Sequence, residues 1–256
     1  MTSLFALLFT GCEVFNPEIR YPESNSKISA VLVIIEDSYI GRNPGAKSDL
    51  RMMTNMVSTV TDDIVVLKDG YATRKNVKEA ITRACSNDTA IIFFTCHGDQ
   101  ERASRSDGDF EEDGKDEYMY LSDSSITDNE LWDIFKNSTN KVFTIFNCCH
   151  SGTMFRTEKD AIAQESFEPF KNMKASSGLS LLSWSACSDD GYSVTSKDGG
   201  EFVSSIFRTF NAFGGNVTYG QAWTTISNSK DLRKYQKPIV NVIGDYRRFE
   251  NVPMFR

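Results

Sequence analysis

The chain reads as an α/β domain with a mostly parallel central sheet and helices on both faces. Three observations carry that reading. Six short runs are almost continuously apolar, as strands buried on both faces are. Helix-like stretches alternate with those runs, which is the order of a parallel sheet crossed by helices. Two of the runs end in a cysteine and a histidine, Thr95-Cys96-His97-Gly98 and Asn147-Cys148-Cys149-His150-Ser151-Gly152. In an open parallel sheet, residues just past the carboxyl ends of the strands converge on one crevice, where ligands bind.

The first strand is Ala30 to Ile35. A loop with Gly41, Pro44 and Gly45 leads into a helix over about Lys47 to Thr59. Asp63 to Leu67 is the second strand, and Thr73 caps a helix that runs to Arg83. Ala90 to Phe94 is the third strand. After an acidic loop comes a helix from about Asp128 to Phe135, capped by Thr127 or Asp128. Val142 to Phe146 is the fourth strand; Leu179 to Ser183 and Ile239 to Ile243 are two more. Helices near Glu201–Phe213 and Tyr219–Ser229 lie between those last two. Thr157 to Ser177 is polar and without period, the signature of a linker or exposed loop. The expected organisation is an N-terminal arm (1–29) and one domain (30–256), divided into a larger segment (30–156), a linker (157–178) and a smaller segment (179–256).

The chain has 256 residues, 40% of them hydrophobic and 25% charged, as in ordinary globular proteins. Its net charge of −7 argues against a nucleic-acid partner. Six cysteines (Cys12, Cys85, Cys96, Cys148, Cys149, Cys187) are too sparse for a disulfide framework, and several lie in or beside expected buried strands. A reduced, cytoplasmic chain is the simpler reading. Leu4 to Phe9 is apolar, and Phe9-Thr10-Gly11-Cys12 loosely resembles a lipoprotein cleavage site, but the first basic residue is Arg20. A docked arm or strand is therefore expected there, with export as the alternative. The run is too short to cross a bilayer, so no membrane partner is expected.

The chain has only two histidines, and both stand at strand ends. A thiol and an imidazole brought together there make a nucleophilic pair. Cys149 is the expected nucleophile and His97 its base. Cys148 is the rival, but neighbouring strand residues point to opposite faces. Each residue alone also has a plainer reading, cysteine as a small core hydrophobe and histidine as a structural side chain. A metal site of Cys96, His97, Cys149 and His150 has suitable ligands, but not the spacing of a zinc motif.

Thr95-Cys96-His97-Gly98, Asp116-Glu117, Asn147-Cys148-Cys149-His150-Ser151-Gly152 and Ser185-Ala186-Cys187-Ser188-Asp189-Asp190, in this order, resemble the metacaspase family of caspase-like cysteine peptidases. The likeness runs from about Ala30 to the C-terminus. The histidine precedes the cysteine by 52 residues, near the caspase spacing of about 50. The resemblance implies a caspase-like fold, a Cys149/His97 dyad working through a thioester, and an oxyanion hole from the N–H groups of Gly98 and Cys149. It assigns Cys149 over Cys148 and gives His150 no base role. It implies a peptide or protein substrate, a monomer, no required cofactor and, in some members, calcium as activator.

Departures from the family pattern concern specificity. Metacaspases carry aspartates where this chain has Asn147 and, in the first helix, Met56; those acids hold the arginine or lysine before the scissile bond. Thr95 and Cys96 replace a usual serine and glycine. A basic preference is thus inherited from the family and weakened here, unless Asp99 or Asp189 rebuilds the pocket. By resemblance, Asp189 and Asp190 line the substrate cleft, although Ser-Asp-Asp-Gly is also turn chemistry. Calcium ligands would fall on Asp116, Asp128 and Asn129, and a fourth on Arg156, whose charge is wrong for that role. Lys159, Lys171 and Lys174 are the candidate self-cleavage sites in the linker. A second reading is a caspase-like regulatory or binding protein of little or no activity; a third is a metal or redox protein using Cys148 and Cys149.

Overall fold

The computed structural model describes residues 19, 21–102, 115–138, 140–152, 178–188, 190–234 and 236–256. The arm up to residue 18 and the linker therefore lie outside the described residues. In chain order the elements are β1 (Ile28–Ile34), a small hairpin of β2 (Asp37–Ser38) and β3 (Gly41–Arg42), α1 (Ala46–Val57), β4 (Ile64–Lys68), α2 (Arg74–Ala84), β5 (Thr89–Thr95), β6 (Gly98–Arg102), β7 (Lys115–Tyr120), β8 (Ser125–Thr127), α3 (Asp128–Phe135), β9 (Lys141–Asn147), β10 (Ser180–Ser185), a second hairpin of β11 (Thr195–Ser196) and β12 (Gly199–Gly200), α4 (Glu201–Ala212), α5 (Tyr219–Ser227), α6 (Lys230–Arg233) and β13 (Ile239–Gly244).

Six strands form the central sheet in the order β13-β10-β9-β5-β1-β4. Every neighbouring pair is parallel except β10 and β13. Side chains alternate between two buried layers. Ala30, Leu32, Ile34, Ile91, Phe93, Phe143 and Ile145 pack with α1, α4 and α5. Val31, Val33, Ala90, Ile92, Phe94, Val142 and Phe146 pack with α2 and α3 on the other face. Each large side chain fully buried this way contributes about 1.5–3 kcal/mol, and both faces of the central strands are largely apolar, with buried serine and threonine such as Thr144 and Ser183 among them.

Helix starts follow local chemistry. The Thr73 hydroxyl accepts from the Asn76 N–H at the start of α2. Thr127 with Glu130, and Thr218 with Gln221, close capping boxes on α3 and α5. The acidic stretch after β5 is more than a loop. Its flanks form β6 and β7, which pair antiparallel and continue to β8 as a three-stranded side sheet. Its strands lack an apolar run because much of this sheet is half-buried or exposed, so periodicity gave no signal. The helix expected near Tyr219–Ser229 is α5, and the short α6 follows it with Ser229 as its cap. Among the described residues no helix is long and apolar enough to cross a membrane.

Candidate active site

Register brings the two motifs together. β5 and β9 are parallel neighbours with Thr95 opposite Asn147, the last residue of each strand. The next positions, Cys96 and Cys148, bring their sulfurs to 3.2 Å, and both side chains sit in the layer under α2 and α3. The positions after those are His97 and Cys149. Gly98 fixes their approach: a Cβ there would collide with the Cys149 carbonyl oxygen and lie 3.2 Å from Cys148 Cβ. The glycine is needed for this backbone contact between the two loops, whatever its N–H does toward a substrate.

Cys148 is fully buried, and burial with the Cys96 thiol beside it pushes its pKa well above the ordinary thiol value. Cys149 is half-buried and its sulfur accepts from the Ser193 N–H at 3.4 Å. Partial burial raises its pKa too, the Ser193 contact opposing and nearby Cys148 and Asp99 adding to the rise. Burial thus favours the thiol over the thiolate at this position. His97 is half-buried, and its Nε2 is buried without a hydrogen bond to any described residue. It makes no hydrogen bond to Cys149 in this resting arrangement; such bonds often tighten only with substrate. His150, next to Cys149, holds φ at 53°, a left-handed conformation that side chains avoid, and stacks edge-on to Tyr192. Cys149 itself lies in the turn that follows β9, past the strand's last residue, Asn147.

Two residues before His97 and Cys149, Thr95 and Asn147 point away from the Cys96–Cys148 layer, toward α1. There they meet Asp49, in the first turn of that helix. The Thr95 hydroxyl donates to Asp49 Oδ2 at 2.8 Å, the Asn147 amide to the same oxygen at 2.9 Å, and the Gly200 N–H to Oδ1 at 2.8 Å. Ser193 Oγ donates to Asn147 Oδ1 at 2.9 Å, and Asn43 to Thr95 at 3.2 Å. Asp49 has no solvent exposure, and burial pushes its carboxyl up to about 6 against the pull of these donors. The β11–β12 hairpin closes over it: a Cβ on Gly200 would run into the Asn147 amide.

Asp49 is the acid that the first helix brings beside Thr95 and Asn147, whereas the resemblance matches the family's helix aspartate to Met56. Met56 is two turns further along α1 and wholly buried in the core, since a helix whose first turn faces the crevice sends its last turns under the sheet. Asp49 is the only acid in that helix, a visible signal that reads equally well as ordinary first-turn stabilisation. Ser193 and Gln236 were missed because nothing marks them in sequence. Gln236 accepts from the Val194 N–H at 2.9 Å and donates to the Ala186 carbonyl at 3.0 Å, fixing the segment over Cys149.

Asp190 is exposed and pairs with Lys115 at 3.3 Å, away from Asp49; Asp189 and Arg156 lie outside the described residues, as do Lys159, Lys171 and Lys174. Asp99 is on β6 and sends its charge toward Cys149 without joining the Asp49 pocket. Asp116 lies on β7, while Asp128 and Asn129 open α3 directly after Thr127, the partner of Tyr118. Among the described residues no group of three or more histidine, cysteine or acidic side chains is arranged to hold a metal ion.

A parallel-sheet domain with a thiol and an imidazole on adjoining strand ends defines a class of cysteine-hydrolase architecture. The caspase-domain family model matches residues 29–243, and the chain belongs to that family. Among solved structures, a Geobacter sulfurreducens protein from a structural-genomics programme is similar with a TM-score of 0.64 and 20% identity, covering 85% of this chain and 93% of that one. Caspase-1 from Spodoptera frugiperda is similar with a TM-score of 0.57 and 12% identity, over 84% of this chain and 86% of that one. At these identities the likeness is one of fold. No curated protein sequence matches the chain.

Proposed function

We propose that the protein is a cysteine endopeptidase of the metacaspase type, with Cys149 as nucleophile, His97 as base and acid, and a pocket for arginine or lysine built on Asp49. The observation that supports the pair most directly is the register: with Thr95 opposite Asn147, the segments carrying His97 and Cys149 leave adjoining strand ends, Gly98 packs against the Cys149 backbone, and the His97 Nε2 has no competing partner among the described residues. The Cys149 sulfur attacks the scissile carbonyl carbon as its proton passes to His97. The carbonyl oxygen, now negative, is held by the N–H groups of Gly98 and Cys149. Collapse breaks the C–N bond, His97 protonates the leaving amine, and a thioester remains. A water deprotonated by His97 then releases the acid and restores the thiol.

The pocket has one carboxylate where the family pattern has two acids. One is enough for one cation, and Asn147 holds it in place. A buried carboxylate with three donors and no cation is the arrangement that a guanidinium or ammonium would complete. Since Asp49 is fully covered, the β11–β12 hairpin must lift for a basic side chain to enter. The metacaspase reading also carries calcium activation through Asp116, Asp128 and Asn129 and self-cleavage after Lys159, Lys171 or Lys174. The chemistry above passes through neither.

The test is a fluorogenic peptide library, with and without calcium, assayed beside Cys149→Ala. Cleavage that depends on Cys149 and is preferred after arginine or lysine is the expected result. Absence of any such cleavage, with either cation condition, would leave a caspase-like binding protein. The closed pocket and the neutral Cys149 thiol favour that second reading.

A further inference from the structure

An aromatic shelf borders His97 and takes no part in the chemistry above. The β2–β3 turn stands over the imidazole: a Cβ on Gly41 would lie 3.8 Å from His97 Nε2. The turn carries Tyr39, 74% exposed, and Ile40, 45% exposed. The Tyr39 ring meets Tyr120 edge-on at 5.3 Å, and Tyr120 meets Tyr118 in the same way at 5.3 Å, their hydroxyls 3.3 Å apart. The Tyr120 N–H donates to the His97 carbonyl at 3.0 Å, so the shelf is anchored to the catalytic segment itself. The hairpin is anchored as well. Glu36, at the end of β1, accepts from Arg42 at 2.9 Å and from Lys68 at 3.1 Å.

Single exposed apolar residues need no explanation, but a contiguous aromatic surface beside reacting groups is a binding surface. Its place decides what it binds. His97 hands its proton to the leaving nitrogen, so the chain beyond the scissile bond must pass His97, and the first surface it meets is this shelf. Tyrosine offers large contact area on few rotatable bonds.

We infer that Tyr39, Ile40, Tyr118 and Tyr120 form the subsite for the residue that follows the scissile bond and favour an aromatic or large aliphatic side chain there. The inference rests on the peptidase reading, and its test separates the two. Two internally quenched peptides are made identical up to the scissile bond, with phenylalanine or glycine as the next residue. A third substrate ends at the bond in a fluorogenic amide. Wild-type protein should prefer the phenylalanine peptide by about tenfold in kcat/KM. In Tyr39→Ala that ratio should fall to within about twofold of unity. The ratio is internal to each variant, so a partly unfolded sample does not distort it. Hydrolysis of the amide with no phenylalanine preference, or a preference that survives Tyr39→Ala, overturns the subsite and leaves the peptidase. No Cys149-dependent hydrolysis of any of the three overturns both.

Discussion

Adjacent positions on the same two strands do opposite things. Thr95 and Asn147 end β5 and β9 facing α1, where with Asp49 they build a wholly polar network. Cys96 and Cys148, one residue further on, face α2 and α3 and rest sulfur against sulfur in an apolar layer. The alternation of strand side chains is the whole cause. It teaches that chemistry at the end of a parallel sheet is sorted by parity: one face of the crevice receives a buried charge, the other only packing. Cys149, half-buried, belongs to neither layer, because β9 ends at Asn147 and the chain turns from Cys148 to His150.

The cysteines give the sharpest break. Cys149→Ala should lower Cys-dependent peptide cleavage by at least a factor of about a thousand. Cys148→Ala should keep turnover within a few-fold and instead lose about 1–2 kcal/mol of stability through the cavity it leaves. Urea unfolding and kcat/KM measured on both variants check this. Loss of activity in Cys148→Ala with Cys149 intact would reverse the assignment.

Next comes Asp49. Its carboxyl, ordinarily near 3.8, is pushed up to about 6. Between those values the folded state keeps a proton that the unfolded chain has lost, so stability falls as pH rises through the window. Above pH 6 the deficit is complete, on the order of 3 kcal/mol. Asp49→Asn should therefore raise stability at pH 7.5, by at most about 3 kcal/mol, and leave it unchanged below pH 4. The same substitution should cost about a hundredfold in kcat/KM on a substrate with arginine before the bond. A gain in stability bought with lost activity is what a site held in a strained charge state predicts. Equal stability of both proteins at pH 7.5 and pH 4 would show that the carboxylate is not destabilised by burial.

The pH behaviour of the thiol separates resting protein from reacting protein. Burial raises the Cys149 pKa, so its alkylation by iodoacetamide should keep accelerating with pH past the ordinary thiol range. A plateau reached near pH 6 would mean a preformed thiolate–imidazolium pair instead.

How far the sequence alone leads can be judged from these same residues. The strands were legible because apolar runs are a short-range signal, and the two Cys/His motifs stood out because they follow the ends of such runs. The side sheet β6–β8 was not, since its strands bury too little to show a pattern. Asp49 was hidden for another reason. Its role depends on three donors drawn from β5, β9 and β12, which come together only in space. The first helix offers only Leu50, Arg51 and Asn55 as landmarks, and these match the family's helix aspartate to Met56.

Met56 supplies the mildest test of a pocket built on Asp49. It packs at 0% exposure among core side chains that include neighbours from α1 and α4. Met56→Leu keeps volume and polarity, so it should cost less than about 1.5 kcal/mol of stability and change KM for an arginine substrate by less than about twofold. Leucine removes only the thioether's flexibility, which matters to packing under the sheet and not to a cation at its far end. A KM shift of tenfold with unchanged stability would instead put Met56 in the pocket wall and rotate α1 away from the orientation that buries Asp49. The variant expected to do least is therefore also a probe of helix rotation.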